Sequence, residues 1–265
     1  MTTTPPLTES AIVLRLRAAG CVFAEDEARL LVSADVSAAR LAELVELRVA
    51  GFPLEPLLGW AEFCGLRIGV DPGVFVPRQR TEFLVREAAA RTPPRAVVLD
   101  LCCGSGALGM ALAAIVGGGR EVELVAADLE PAAVTNARRN LEPLGGRVFE
   151  GDLFEPLPPE LRGRVDILLC NTPYVPSDRI ATMPPEARLH EPRMTLDGGV
   201  DGLDLQRRVA AEAARWLSPG GHLFVEASED QAPQTAELFR DSGLRPRILH
   251  SEELYATIVI GTRPA

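Results

Sequence analysis

The 265-residue sequence lacks several things, and each shortage removes a class of protein. No apolar run approaches the ~20 residues that cross a bilayer, so a membrane-spanning chain is not expected. The opening residues, Met1-Thr2-Thr3-Thr4-Pro5-Pro6, carry neither a basic nor an apolar segment, so no secretory leader is expected. Cysteine is sparse: Cys21, Cys64, Cys102, Cys103 and Cys170 form an odd set of five without a CxxC spacing. That pattern indicates neither a disulfide framework nor a zinc ribbon, and it suits a reducing compartment, the cytoplasm. The three histidines, His190, His222 and His250, are far apart, and no metal site is expected. Positive charge is the minority, 27 basic against 37 acidic residues, for a net charge of −10. A duplex-binding face relies on Lys and Arg neutralising phosphates, so direct nucleic-acid binding is not expected. Internal repeats and low-complexity tracts are absent. What remains, 47% hydrophobic and 24% charged residues, is the balance of an ordinary globular chain. Its length suits one large domain, or a main domain carrying a small one.

The first fifty residues read as helices. Ile12, Leu14 and Leu16 precede Gly20, a C-terminal helix stop, and Ala28 to Val32 and Leu41, Leu44, Val45 and Leu47 follow helical spacing. Gly51, Pro53 and Pro56 break the pattern. The apolar runs 63–70 and 74–76 flank Asp71-Pro72-Gly73, which predicts a short hairpin with its turn at those three residues. From about residue 95 the rhythm becomes strand, glycine turn, helix. Strands are expected at 96–101, 121–127, 147–150, 165–170, 222–226, 244–249 and 255–260. Helices are expected at 107–116, 131–141, 203–217 and 234–240, with the third stopped by Ser218-Pro219-Gly220-Gly221. Such alternation implies an α/β fold, a mostly parallel sheet covered on both faces. The last two strands are too close in sequence for a helical crossover, so they must be antiparallel.

Asp100-Leu101-Cys102-Cys103-Gly104-Ser105-Gly106 follows the first long strand and opens a helix. Glycines there let backbone approach a ligand at a helix N-terminus. The run Gly104 to Gly109 also satisfies GxGxxG, which has two readings. One is a dinucleotide site with Asp128 on a ribose. The other is an S-adenosylmethionine site with Asp128 on the ribose diol, Asp100 toward the ammonium and Asp152 near the adenine. The charge of Asp100 opposes a pyrophosphate, and the terminal antiparallel pair is unlike a dinucleotide fold, so the second reading leads. The sequence Asn171-Thr172-Pro173-Tyr174 directly follows the strand 165–170, at the strand end where open α/β sheets bind ligands. An Asn side chain and adjacent carbonyls accept hydrogen bonds from a planar N–H₂ group, and a tyrosine ring packs on that plane. An amide-like nitrogen is the natural target. A plain turn made of good turn residues stands beside that reading.

These residues together resemble the HemK/PrmC family of protein-(glutamine-N5) methyltransferases. The family's NPPY appears as Asn171-Thr172-Pro173-Tyr174, and its IPRPETE-LV linker as Val76-Pro77-Arg78-Gln79-Arg80-Thr81-Glu82-Phe83-Leu84-Val85. Glu191-Pro192-Arg193 through Gly198-Gly199 and Asp201-Gly202-Leu203 match its E-P–L-GG-DGL segment, and Pro56-Leu57-Leu58-Gly59 its PLxYLLG stretch. The chain departs at NTPY for NPPY, at Cys102 and Cys103 in the usual DLGTGSG, and at Gln79 and Arg80 for Pro and Glu.

The resemblance implies a class I, Rossmann-like S-adenosylmethionine-dependent methyltransferase sheet. A helical substrate-recognition domain over residues 1–60 would precede a β-hairpin linker over 61–80 and a catalytic domain over 81–265. It implies S-adenosylmethionine as cofactor, held by Asp100, Cys102, Gly104, Gly106, Asp128, Leu129, Asp152, Leu153 and Asn171. Arg78, Glu82, Asn171, Pro173 and Tyr174 would hold the substrate, with Asn171, Thr172, Pro173 and Tyr174 as the catalytic set. The implied partner is a peptide-chain release factor, methylated on its Gly-Gly-Gln glutamine in translation termination by a cytoplasmic monomer. An amino-methyltransferase with another protein, small-molecule or nucleic-acid acceptor, a non-catalytic cofactor-binding protein, and a nicotinamide oxidoreductase stay open at this stage.

Overall fold

A computed structural model describes residues 7–118 and 121–265 of the chain. The stretch Met1 to Pro6, read above for a leader, lies outside them. Helix α1 (Glu9–Ala18) begins where the Thr8 hydroxyl accepts the Ala11 N–H. It ends where Gly20 adopts φ +91° and the N–H groups of Gly20 and Cys21 return to the Arg17 and Leu16 carbonyls. That left-handed stop is the one placed at Gly20 from the sequence. Helices α2 (Ala24–Val32), α3 (Ala38–Val49) and α4 (Leu54–Leu58) complete the layer. Ile12, Leu16, Ala28, Leu31, Leu44 and Val45 pack there into a core of their own.

One ion pair is buried beside that core. Arg48 of α3 is 7% exposed and donates to both Glu27 oxygens, at 2.5 and 2.9 Å, and to the Phe52 carbonyl at 3.0 Å. The nitrogen that serves Phe52, Nη1, also reaches across to Glu186 at 2.6 Å.

Strands β1 (Trp60–Phe63) and β2 (Leu66–Gly69) form the linking hairpin. Its turn is Cys64-Gly65, not Asp71-Pro72-Gly73. Both turn residues have positive φ, +51° and +71°, and a two-residue turn of that hand matches the twist of the flanking strands. Residues 74–76 do not pair as a strand. Helix α5 (Glu82–Ala89), which was not expected from the sequence, then leads into the sheet.

The sheet follows from long apolar runs that must be covered on both faces. Its elements are β3 (Arg95–Leu101), α6 (Ala107–Val116), β4 (Glu121–Asp128), α7 (Pro131–Leu141), β5 (Arg147–Glu150) and β6 (Val165–Cys170), then α8 (Pro185–His190) and α9 (Asp204–Trp216). Strand β7 (Leu217–Ala227), α10 (Ala232–Asp241), β8 (Arg245–Ser251) and β9 (Ala256–Thr262) finish it. The strand order is β5-β4-β3-β6-β7-β9-β8. The first five strands run parallel, and β9 is antiparallel to both its neighbours. One face packs on α5, α6 and α7 and the other on α9 and α10. Sequence order reverses between β3 and β6, which opens a crevice at their carboxyl ends.

Ser218-Pro219-Gly220-Gly221 does not separate α9 from a later strand. It is the first part of β7, looped out between Leu217, opposite Val165, and His222, opposite Ile167. The Ser218 hydroxyl donates to Asp166 at 2.7 Å, and the Gly220 and Gly221 main chains pair with Arg263. Strand pairing outweighs the turn propensity of these residues. Helix α8 was likewise not expected. None of the described helices is long and apolar enough to cross a membrane.

Replacing Arg48 by Ala would leave Glu27 buried without its counter-charge. Urea unfolding of Arg48→Ala should show a loss of about 3–5 kcal/mol. A loss below about 1 kcal/mol would mean the network is held by water rather than by the arginine.

Candidate active site

A cavity of about 200 Å³, open on one side, lies over the carboxyl ends of β3, β4, β6 and β7. Three turns and one long connection build it. After β3 the chain curls through Cys102 at φ +55°, Gly104 at φ +55° and Gly106 at φ +77° before entering α6. At Gly106 a Cβ would sit 2.9 Å from a Leu141 methyl, so this corner takes a glycine for its packing as well as its dihedral. Cys102 holds the same left-handed region with a side chain present, and it lines the cavity beside Gly104.

Asp128 ends β4 and faces the turn. Its Oδ2 accepts the Gly104 N–H at 2.8 Å and its Oδ1 the Glu130 N–H at 3.0 Å. Burial raises its pKa while these N–H donors oppose the rise. Each oxygen keeps a lone pair for a further donor. Asp152 follows β5 and accepts from Arg208 at 2.7 Å, and Leu129 and Leu153 supply apolar walls.

Asp100 is placed differently from its neighbours. It does not line the cavity but lies beneath the glycine turn, 1% exposed, with Oδ2 accepting the Gly109 N–H at 2.8 Å. Its Oδ1 is buried and meets no hydrogen-bond partner among the described residues. Burial pushes its pKa up to about 8. Gly106 also stays out of the lining. So does Glu82, whose carboxylate accepts the Cys64 N–H at 2.9 Å in the hairpin and pairs with Arg86.

Asn171, Thr172, Pro173 and Tyr174 leave β6 and form the opposite wall. The Thr172 hydroxyl is buried and meets no hydrogen-bond partner among the described residues. The Tyr174 phenol donates to Glu226 and accepts from Arg80, each at 2.8 Å. Burial, and next the Glu226 carboxylate, raise the phenol well above its ordinary range. Arg78 lines this end too and pairs with the buried Glu191 at 2.5 Å. Cys103, through burial, and Cys170, through its contact with Cys102 and its burial, have thiols pushed well up. They are held as protonated thiols, which suits packing rather than nucleophilic attack.

Glu226 and Thr81 line this end without having been singled out from the sequence, and Arg80 was noted only as a departure. One signal was available: Glu226, like Asp100 and Asp128, is an acid at the end of an apolar strand. The donor set fits a cationic cofactor bearing a ribose. Asp128 suits a diol, and the leucines suit a flat apolar ring.

Residues 65–199 match the Methyltransferase small domain family. The release factor glutamine methyltransferase of Geobacter sulfurreducens is 42% identical over 202 residues, 76% of this chain and 69% of that protein. A 4-amino-L-phenylalanine/4-methylamino-L-phenylalanine methyltransferase of Streptomyces pristinaespiralis is 38% identical, over 75% of this chain and 69% of its own length. A crystal structure of a methyltransferase from Pyrococcus furiosus superposes with a TM-score of 0.55 at 15% identity, covering 86% of this chain and 98% of that one. The fold is therefore the Rossmann-like, class I methyltransferase fold.

The raised pKa of Asp100 makes the folded chain bind one proton more than the unfolded chain between pH ~4 and ~8. Its contribution to stability is therefore full below pH ~4 and is lost as pH rises through about 8. Urea unfolding across this window should show a shallower fall in stability for Asp100→Asn, the difference approaching about 1.4 kcal/mol per pH unit. Identical slopes would show that the carboxyl is ionised in the fold.

Proposed function

This chain belongs to the release factor glutamine methyltransferase family, and we propose that it methylates the side-chain amide nitrogen of the Gly-Gly-Gln glutamine in a peptide-chain release factor. The observation that supports this most is the opposition of two walls across one cavity: Asn171 to Tyr174 on one side, the glycine turn and Asp128 on the other. S-adenosylmethionine is the cofactor, and when bound it supplies an electrophilic methyl group on a sulfonium. Gly104 and Cys102 would take its methionine end, Asp128 the ribose diol, and Leu129, Asp152 and Leu153 the adenine. Asp100 and Gly106 would act from beneath, shaping the turn.

An amide nitrogen is a poor nucleophile because its lone pair is delocalised. The chain must therefore hold that nitrogen in line with the methyl group. Orientation of this kind contributes ~7–11 kcal/mol. The Asn171 side-chain oxygen and the Thr172 carbonyl would accept the two N–H bonds and stabilise positive charge developing on nitrogen. The Tyr174 ring and Pro173 would confine the plane of the amide. With its pKa raised, the Tyr174 phenol stays neutral and acts as a hydrogen-bonding anchor rather than a base.

Charge at the acceptor end supports a peptide-borne glutamine. Its two cations, Arg78 and Arg80, are committed to Glu191 and Glu226. No unpaired charge is left on these four groups for the carboxylate of a free amino acid, whereas a neutral amide needs none. The helical layer over residues 1–60 would grip the protein substrate, with residues 61–80 as linker and 81–265 as catalytic domain. An enzyme acting on release factors works in the cytoplasm, here as a monomer that does not touch nucleic acid itself. A small amine as acceptor is the second reading, favoured by the buried, unpartnered Thr172 hydroxyl where the family pattern has proline.

Mass spectrometry of a release factor incubated with protein and S-adenosylmethionine should find one methyl group on the Gly-Gly-Gln glutamine. An unmodified glutamine, with cofactor binding intact, would turn the assignment to the small amine. In the same assay Asn171→Ala should lower turnover by about a hundredfold or more while cofactor Kd stays within about threefold. Equal loss of both would remove Asn171 from the acceptor site.

A further inference from the structure

Glu226 belongs to none of the motifs read above, yet it is the most heavily engaged carboxylate at the acceptor end. It sits near the end of β7 with its side chain 2% exposed. Three side-chain donors converge on it: Thr81 Oγ1 at 2.6 Å, Tyr174 Oη at 2.8 Å and Arg80 Nε at 2.9 Å. Arg80 Nη2 then donates to the same phenol oxygen at 2.8 Å. The phenol is thus a donor to one group and an acceptor from another, and those two groups are joined to each other.

The main chain around this triangle is fixed as well. Gln231 donates to the Tyr174 carbonyl and to the Asp201 carbonyl, each at 2.9 Å. Gly202 passes so close that a Cβ would lie 2.3 Å from the Tyr174 carbonyl oxygen. Gln206, buried in α9, reaches the Glu226 carbonyl at 3.3 Å and is itself held by Thr235 at 2.7 Å. Burying a carboxylate costs several kcal/mol unless it is paired and hydrogen-bonded. Here that cost is offset by three donors, two of which, Arg80 and Tyr174, are also bonded to each other.

We propose that Glu226 and Arg80 are positioning residues for methyl transfer, clamping the Tyr174 phenol so that its ring holds the acceptor amide in line with the methyl group. The inference rests on the glutamine-methylation reading. The clamp joins three distant pieces of chain: the turn Gln79–Thr81, the wall after β6, and β7. Its cation is this chain's own, because the linker motif it resembles carries glutamate where Arg80 stands. A ring pinned at its far end cannot swing, and small displacements of this kind cost about a hundredfold in rate.

The test is steady-state methylation of release factor by Glu226→Gln, Tyr174→Phe and the double variant. Each single change should lower kcat about tenfold to a hundredfold, with cofactor Kd unmoved. The double variant should be no slower than the slower single, since both changes act through one phenol. Multiplying losses, or a parallel loss of cofactor binding, would overturn the clamp. If Glu226→Gln does not fold, Arg80→Gln, half-exposed in the linker, takes its place in the same comparison.

Absence of turnover in the unaltered protein would count against the acceptor assignment, and a readout without acceptor then decides the clamp. Tyr174 and Tyr255 are the two tyrosines of the chain. In a Tyr255→Phe chain labelled with 3-fluorotyrosine, the ¹⁹F signal reports Tyr174 alone. At neutral pH this signal should shift in Glu226→Gln and in Arg80→Gln, because each removes a hydrogen bond at the phenol oxygen. The same chemical shift in all three proteins would refute the clamp.

Discussion

Everything at the site depends on the parallel pairing of β3 with β6. These two strands lie side by side, Leu101 opposite Cys170, although 63 residues lie between the end of one and the start of the other. The intervening chain goes outward through β4 and β5, and the returning chain continues through β6 to β7. Because the strands run the same way, the glycine turn after β3 and the Asn171 wall after β6 must emerge at one end. Their neighbours β4 and β7 bring Asp128 and Glu226 to that end by the same rule. A register shift of one residue would turn each of these side chains to the wrong face.

The sequence made most of this frame legible because the signals were local. The strand at 165–170 and the helices at 107–116 and 131–141 lie where apolar runs, small-residue patterns and a helix-starting proline put them. It failed where tertiary pairing competes with turn chemistry. Asp71-Pro72-Gly73 is the stronger turn signal, but Cys64-Gly65 closes the hairpin. Ser218 to Gly221 reads as a stop, yet Asp166 and Arg263 draw it into β7. At the site, Asn171 to Tyr174 could be read because they are consecutive. Glu226 and Arg80 could not be joined, since 146 residues separate them and neither alone has a distinctive spacing.

Arginine supplies all 27 cations of this chain. That choice shows at the buried pairs, where a planar fork can serve two acceptors at once. Arg48 spans Glu27, the Phe52 carbonyl and Glu186, and Arg80 spans Glu226 and Tyr174. A lysine is a point charge and would not hold either geometry. The exposed pairs, such as Arg40 with Glu43, contribute little beyond solvation of the surface.

The connection from β6 to α9 carries more than the acceptor wall. Within it, Glu186 is tied to Arg48 of the helical layer, and the His190 ring stands 4.3 Å from that of Phe52. Further along the same connection Glu191 pairs with Arg78 of the linker, and Met194 and Leu196 line the cavity. The helical layer, the linker and the pocket are thus written into one uninterrupted stretch of chain. In evolution such a protein cannot exchange its helical layer as a module. A change of partner at one end of this stretch has to be inherited together with a matching change at the other.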